Sequence, residues 1–179
     1  MLYKSEPYKP HAWPYSEPFA TNIRGILVTQ SGIVVTTADG VYLMPGASPA
    51  QSGTLKLDAP QAGVAQRSMT VIDGAGAYAS SDGVTFVTGS VASIEASQRL
   101  FTREKWRERY GDILADYSMR LAYHDGGIVA SSNTQAKGFM LRLDEGVGTF
   151  TRLAVRMDCT FQLPVNDALY YTVGAVVYQ

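Results

Sequence analysis

The chain has 179 residues, of which 46% are hydrophobic and 17% charged, and its formal net charge is −1 at pH 7. This composition supplies one ordinary hydrophobic core and gives no overall electrostatic preference for nucleic acid. The single cysteine, Cys159, excludes an internal disulfide, and we expect its thiol to be buried and unreactive. There is no secretion-signal pattern and no apolar run of roughly twenty residues, so we expect no membrane contact.

The N-terminal segment is rich in proline and aromatic residues. Residues 3–14 read YKSEPYKPHAWP. Proline restricts φ and lacks an amide donor, so neither a helix nor a central strand is expected to run through this segment. We therefore predict an extended leader over residues 1–22. Its aromatic side chains need a surface to cover, which makes them candidate assembly contacts: Tyr3, Tyr8 and Trp13.

From residue 23 onward, short runs of Val, Ile, Thr and Tyr alternate with turns that contain glycine. Three strands in residues 23–46 form an antiparallel meander, and the same plan recurs in 69–89, 119–143 and 159–178. Because the repeats start about 40 to 50 residues apart, we predict an all-β fold of three to four blade-like antiparallel meanders, a partial β-propeller. A sandwich of ordinary hairpins is the alternative. Both interpretations treat residues 23–179 as a single domain.

One segment interrupts the strand pattern. Thr102 can cap a helix, strong helix formers follow it, and Gly111 stands where a glycine commonly ends a helix. We predict one short helix near residues 102–110, inserted at about 99–116, with Trp106 and Tyr110 facing the core. The stretch carries a local excess of positive charge, for which a solvated helix face is the simpler explanation. Its basic residues are nevertheless candidate DNA contacts: Arg99, Arg103, Lys105, Arg107 and Arg109.

No catalytic or metal-binding motif is present. The two histidines, His11 and His124, lie far apart, and His124 precedes an Asp-Gly-Gly turn. Residues 80–86 approximate the Asp-box turn of sialidase-like propellers, in which the aspartate accepts backbone N–H bonds and has a structural role. We expect a non-enzymatic protein without catalytic residues, metal or cofactor. A glycosidase pair would have to come from the following acids: Glu6, Glu17, Glu95, Glu104, Glu108 and Asp112.

Four motifs occur in order along residues 3–110. They are YKSEPYKPHAWP at 3–14, DGVYLMPGASP at 39–49, QRSM with YASSDG at 66–83, and LFTREKW at 100–106, with a weaker match at 167–171. Together they resemble a family of uncharacterised virion or tail proteins of tailed bacteriophages. Members of that family are much longer, so this chain is expected to be a shortened or excised piece. Val64 and Ala65 stand where the family often has a cysteine, so no thiol chemistry carries over.

The resemblance implies a structural component of a phage or prophage tail or head-to-tail junction. Such a protein is assembled in the host cytoplasm and located in the virion. A partial set of blades leaves unpaired sheet edges, so we expect a homo-oligomer or contact with neighbouring virion proteins. The C-terminal tyrosines are further candidate assembly contacts: Tyr170, Tyr171 and Tyr178.

Two other functions remain open at this stage. The imperfect Asp box and the abundant tyrosines suggest a carbohydrate-binding or glycan-cleaving propeller fragment. The basic residues around the predicted helix suggest an adaptor that contacts packaged DNA, for which binding would weaken with salt.

Overall fold

The computed structural model describes residues 1–5, 8–46, 53–59, 61–93, 95–144, 147–163, 165–166 and 168–179. The fold is all-β, with 52% of residues in strands that form several small antiparallel sheets. This confirms the predicted fold class, which rested on the recurrence of short β-branched runs and glycine turns.

The N-terminal segment forms a hairpin rather than a straight rod. Strand β1 (Leu2–Lys4) pairs antiparallel with β2 (Tyr15–Glu17), and Tyr8 lies at φ 62° within the connection. The prediction of a continuous extended segment was therefore wrong. Proline prevents β-sheet hydrogen bonding only at its own positions, and neither of the two paired three-residue strands contains a proline. Residues 6 and 7 of this segment lie outside the described residues.

Four antiparallel meanders follow the hairpin, in agreement with the predicted repeats. Sheet 1 contains β3 (Ile23–Thr29), β4 (Gly32–Thr37), β5 (Val41–Met44) and β6 (Leu55–Lys56). Sheet 2 contains β7 (Met69–Ile72), β8 (Ala75–Ser80), β9 (Gly83–Thr88) and β10 (Val91–Ser93). Sheet 3 contains β11 (Met119–His124), β12 (Gly127–Ser132), β13 (Gly138–Asp144) and β14 (Val147–Leu153). Sheet 4 contains β15 (Cys159–Leu163), β16 (Ala168–Val173) and β17 (Val176–Tyr178).

The sheets are arranged like successive blades. Their first strands are neighbours in chain order, with β7 beside both β3 and β11, and β11 beside β15. The sheets therefore spread out from this row of first strands, as propeller blades do. In the described part of the chain the row does not close into a ring.

Two hydrophobic clusters fill the spaces between the first three sheets. The first cluster joins sheets 1 and 2, and its buried members are Val34, Val41, Leu43, Leu57, Tyr78 and Val87. The second cluster joins sheets 2 and 3 and includes the aromatic residues Trp106, Tyr110 and Phe139. No residue of sheet 4 belongs to either cluster as described. The two clusters thus end at sheet 3, although Ala168 of β16 is itself buried.

Two helices lie between sheets 2 and 3, namely the single turn α1 (Glu95–Gln98) and the longer α2 (Arg103–Ala115). Thr102 caps α2 as predicted, because its hydroxyl accepts from the Lys105 amide at 3.4 Å. Trp106 and Tyr110 are buried as predicted, at 3% exposure each. The predicted end at Gly111 was wrong, because Ile113 and Leu114 are buried in the second cluster and extend the helix.

Cys159 differs from the sequence-based expectation. Its thiol is exposed rather than buried. The residue opens sheet 4, which adds nothing to the two clusters, so a small apolar side chain at this position finds no core to enter.

Candidate functional site

The N-terminal aromatic residues form an exposed group on the hairpin. The Tyr3 and Trp13 rings lie 6.5 Å apart, and their side chains are 58% and 61% exposed. Tyr8 is fully exposed in the connection. The three predicted contacts are thus available to a partner.

Other residues attach the hairpin to sheet 1. Phe19, just beyond β2, packs edge-on against Tyr42 of β5 with ring centroids 5.1 Å apart. Thr21 donates to Asp39 Oδ1 at 2.6 Å, and Thr54 donates to Glu17. Because these contacts hold the hairpin, its exposed aromatic group is presented on a fixed support.

The C-terminal tyrosines lie on both faces of sheet 4. Directly paired residues of an antiparallel sheet share a face. Tyr170 pairs with Phe161 and stacks on it at 5.3 Å, whereas Tyr171 pairs with Tyr178 and stacks on it at 5.1 Å. Consecutive residues point to opposite faces, so the two stacks lie on the two sides of the sheet.

Large apolar side chains of sheet 4 remain in contact with solvent. The exposed fraction is 44% for Phe161, 57% for Val177 and 44% for Tyr178. Leu163 and Val176 are also exposed. Exposed apolar side chains of this kind, present on both faces of one sheet, commonly mark a protein–protein contact. Sheet 4 is therefore the strongest candidate assembly surface among the described residues.

The basic residues of the helical segment serve different purposes. Arg103 and Arg107 contact the Asp82 carboxylate, with Arg103 Nε 3.0 Å from Oδ2 and Arg107 Nη2 2.6 Å from Oδ1. Arg109 lies over the Phe101 ring at 4.8 Å. Arg99 and Lys105 are exposed. Two of the five predicted DNA contacts are thus occupied by a buried carboxylate of the same chain.

The turn that resembles an Asp box has a structural role, but its aspartate makes a different contact from the expected one. Asp82 is 1% exposed and its carboxylate faces α2 rather than the turn's own amides. Ser80 holds the turn instead, because its hydroxyl donates to the Gly83 carbonyl at 2.9 Å. The expectation about the Asp82 partners was therefore wrong. Trp106 Nε1 also donates to the Ser80 carbonyl at 3.2 Å.

These contacts connect two of the four motifs quoted above. YASSDG supplies Ser80 and Asp82, and LFTREKW supplies Arg103 and Trp106. Residues about 25 positions apart in sequence therefore meet where α2 packs on sheet 2. Both motifs consequently hold the helix in place.

Of the acids considered for glycan cleavage, two lie beside lysines and two are exposed on α2. Glu104 and Glu108 are exposed on α2, Asp112 binds Lys137 at 2.7 Å, and Glu17 lies 3.8 Å from Lys4. Residue 6 and the side chain of residue 95 lie outside the described part. No group of three His, Cys, Asp or Glu residues that could hold a metal ion occurs among the described residues.

A cavity of about 190 Å³ lies between sheets 2 and 3 and contains one carboxylate, that of Asp73. The Tyr123 hydroxyl donates to Asp73 Oδ2 at 3.3 Å. Burial, followed by the negative charge of Asp73, raises the pKa of the Tyr123 phenol. The lining thus offers one carboxylate that is already bonded, rather than the pair needed for glycoside hydrolysis.

A larger cavity of about 380 Å³ opens beside the first strands and is lined by Arg24 and Arg67. Sequence reasoning missed these arginines. The available signal was an arginine within two residues of the start of three successive repeats, at positions 24, 67 and 120.

No described helix has the length and apolar character needed to span a membrane. No protein-family model matches the chain, and the search of curated proteins found no match.

Proposed function

We propose that the chain is a non-enzymatic structural component of a phage or prophage tail or head-to-tail junction, and that it acts through assembly. The single observation that carries the assembly role is that sheet 4 has exposed apolar side chains and one aromatic stack on each of its two faces, outside both core clusters. The resemblance of the four motifs to tailed-phage virion proteins supports the location in the virion.

The proposed partners are further copies of the chain and neighbouring virion proteins. The tyrosine side chains of sheet 4 supply contact area at a small entropic cost, as is typical of interface hot spots. The exposed group of Tyr3, Tyr8 and Trp13 supplies a second contact of the same chemical kind. We expect sheet 4 to contribute more, because its strands also present an unpaired edge at β17.

Sedimentation velocity over micromolar concentrations tests the assembly role. We expect the chain to associate and Val177→Lys to weaken association at least tenfold, because a buried unpaired charge costs several kcal/mol at an interface. Val91→Lys is the matched control, since Val91 is 63% exposed on the outer strand of sheet 2. A monomer over the whole concentration range, or identical association of both variants, would contradict the assembly role.

The N-terminal contact requires a separate test. Trp13→Ala is expected to leave the unfolding midpoint nearly unchanged, because the ring is already mostly exposed. The same variant should weaken binding to a neighbouring virion protein or to a second copy. If Trp13→Ala binds both a second copy and the neighbouring virion protein as tightly as the wild type does, this aromatic group is excluded as a contact.

The virion location is tested independently by the genes beside its own, where portal, terminase and tail genes are expected.

The two alternative functions stay predictions with less support. For the DNA adaptor, Arg103 and Arg107 are already engaged by Asp82. For the glycan-binding fragment, the Asp-box-like turn is used to hold α2. Two of the five candidate DNA contacts and the Asp-box-like turn are therefore already used in contacts within the chain.

A further inference from the structure

The cavity of about 380 Å³ lies where sheets 1 and 2 meet at their first strands. One wall is the start of β3 and the other is the loop that precedes β7. The residues that line it are Ile23, Arg24, Gly25, Ile26, Gln66 and Arg67. Two arginines, one from β3 and one from the loop before β7, therefore line one concavity.

Arg24 is held in place across the gap between the sheets. Its Nη1 donates to the Gly63 carbonyl at 2.9 Å, and the guanidinium lies 5.6 Å from the centre of the Tyr117 ring. These contacts fix the side chain without neutralising its charge, because carbonyls and aromatic faces carry no net charge.

A third arginine stands next to this cavity. The Leu121 amide donates to the Arg67 carbonyl at 3.0 Å, which places Arg67 beside Arg120, the second residue of β11. Arg120 is partly buried, and burial together with the nearby charge of Arg67 lowers the pKa of its guanidinium. Three successive sheets therefore bring one arginine each to the same end of the row of first strands.

None of these three positive charges forms an ion pair in the described part of the chain. No described carboxylate lies within ion-pair distance of Arg24, Arg67 or Arg120. Asp158, whose charge is felt by Arg120, already accepts from Arg156 at 3.2 Å and from the Gly174 amide at 2.7 Å. Like charges brought together without a counter-ion repel, and a bound anion would relieve that repulsion.

We propose that the cavity beside Arg24, Arg67 and Arg120 binds a phosphate group, supplied either as inorganic phosphate or as a phosphodiester of nucleic acid. The guanidinium fork matches the oxygen spacing of phosphate and donates two parallel hydrogen bonds to it. The site is distinct from the basic face of α2, and it goes beyond the assembly role because it does not depend on the oligomeric state.

Two probes test the site and identify the source of the phosphate. Inorganic phosphate is titrated by calorimetry, and a fluorescent single-stranded oligonucleotide of about twelve nucleotides by anisotropy at several salt concentrations. The variants are Arg67→Gln and Arg120→Gln, and the matched control is Arg99→Gln, which removes the same charge from an exposed position at the helical segment. Thermal unfolding of each variant checks that it is folded. If Arg120→Gln does not fold because Arg120 is partly buried, the result with Arg67→Gln alone decides whether the proposal stands.

We expect Arg67→Gln to weaken binding of at least one probe about tenfold or more, as loss of a charged hydrogen bond does, and Arg99→Gln to leave it unchanged. For the oligonucleotide, the negative slope of log affinity against log salt concentration should become less steep by about one in Arg67→Gln than in the wild type. Binding of inorganic phosphate alone assigns the free ion as the source, whereas oligonucleotide binding that phosphate displaces assigns the phosphodiester. Absence of binding to both probes, or a loss with Arg99→Gln that Arg67→Gln does not share, would overturn the proposal.

Discussion

Asp82 shows how a single buried carboxylate determines the position of an entire helix. It is 1% exposed and lies opposite Arg103 and Arg107, one helical turn apart on α2. Both arginine side chains keep about half of their surface in water, so the burial cost falls mainly on the aspartate. The contact orients α2 on sheet 2 because both guanidinium groups must reach the same carboxylate.

Asp82→Asn is expected to lower the free energy of unfolding by about 1 to 3 kcal/mol, because the amide places a donor where two donors already point. Urea unfolding measures the change. Asp58→Asn is the control, since Asp58 is exposed, and its effect should stay within about 0.5 kcal/mol. Equal changes in the two variants would show that the Asp82 contact does not stabilise the fold.

Asp39 connects the N-terminal hairpin to sheet 1 through hydrogen bonds that require its charged form. Thr21 and Thr37 each donate to it at 2.6 Å, and Tyr42 donates at 3.2 Å. The Thr21 bond, followed by the Thr37 bond, holds the pKa of this carboxyl well below its usual range. Because the folded pKa is the lower one, the contribution is present above the unfolded value of about 3.9 and is lost as pH falls through the folded value.

The Asp39 contribution predicts a specific pH dependence. Asp39→Asn should lower the urea midpoint at about pH 7, where the wild-type carboxylate is charged in both states. The difference in urea midpoint between wild type and variant should become smaller as the pH is lowered below about 4 toward the folded pKa. Unfolding curves of both proteins across this range provide the measurement. A gap that does not change with pH would mean that the charge of Asp39 does not contribute.

At the scale of elements, α2 shows which helix signals are local. The cap at Thr102 and the inward face of Trp106 and Tyr110 follow from nearby residues and were predicted. The end of α2 was not predicted, because it depends on burial of Ile113 and Leu114 in a cluster built from several strands of sheets 2 and 3. A glycine permits a helix end but does not impose one.

Gly111→Ala tests the continuation of α2 directly. The added methyl group would meet no atom within 4 Å, so alanine should raise the free energy of unfolding by about 0.5 to 1 kcal/mol. Gly89→Ala is the matched control: its methyl group also enters open space, but φ is +60°, so alanine should cost about 1 kcal/mol. Destabilisation by Gly111→Ala would show that the helix stops near residue 110.

The N-terminal hairpin contains a chain reversal that its local sequence did not predict. Proline correctly excluded a helix from residues 8–14, yet the chain reverses there and brings Lys4 opposite Tyr15. The reversal depends on pairing between segments that are individually too short to be recognised as strands. Their antiparallel register is a property of the pair, and neither triplet predicts it alone.

At the scale of the whole molecule, stability and assembly occupy different sheets. Sheets 1, 2 and 3 share the two core clusters, whereas sheet 4 contributes to neither of them as described. Sheet 4 is attached through β11, the bridge between Ser132 and Arg156, and the bond from the Met157 amide to the Ser132 carbonyl at 3.0 Å. We infer that the first three sheets fold without it.

A variant that ends at Met157 tests this division. Its unfolding midpoint should stay within about 5 °C of the wild type, because both clusters remain intact, while self-association should be lost. Phe139→Ala is the comparison, since this fully buried ring lies in the second cluster and its truncation should cost about 3 to 5 kcal/mol. Global unfolding of the shortened chain would show that sheet 4 is part of the cooperative core.

The sequence by itself determined the features that depend on neighbours along the chain. These are the strand class, the glycine turns at Asp73-Gly74 and Asp125-Gly126, the recurrence of the meanders and the cap of α2. Strand alternation and turn geometry involve only a few consecutive residues, so a pattern in the chain is enough to specify them.

Only the tertiary structure decided which residues meet across sheets. It brought Arg24 and Arg67 into one cavity, with Arg120 beside it, placed Asp82 opposite α2, and left sheet 4 outside the core. Each of these outcomes depends on burial and charge contributed by segments tens of residues apart. Such contacts are set by the packing of whole sheets, which no local pattern specifies.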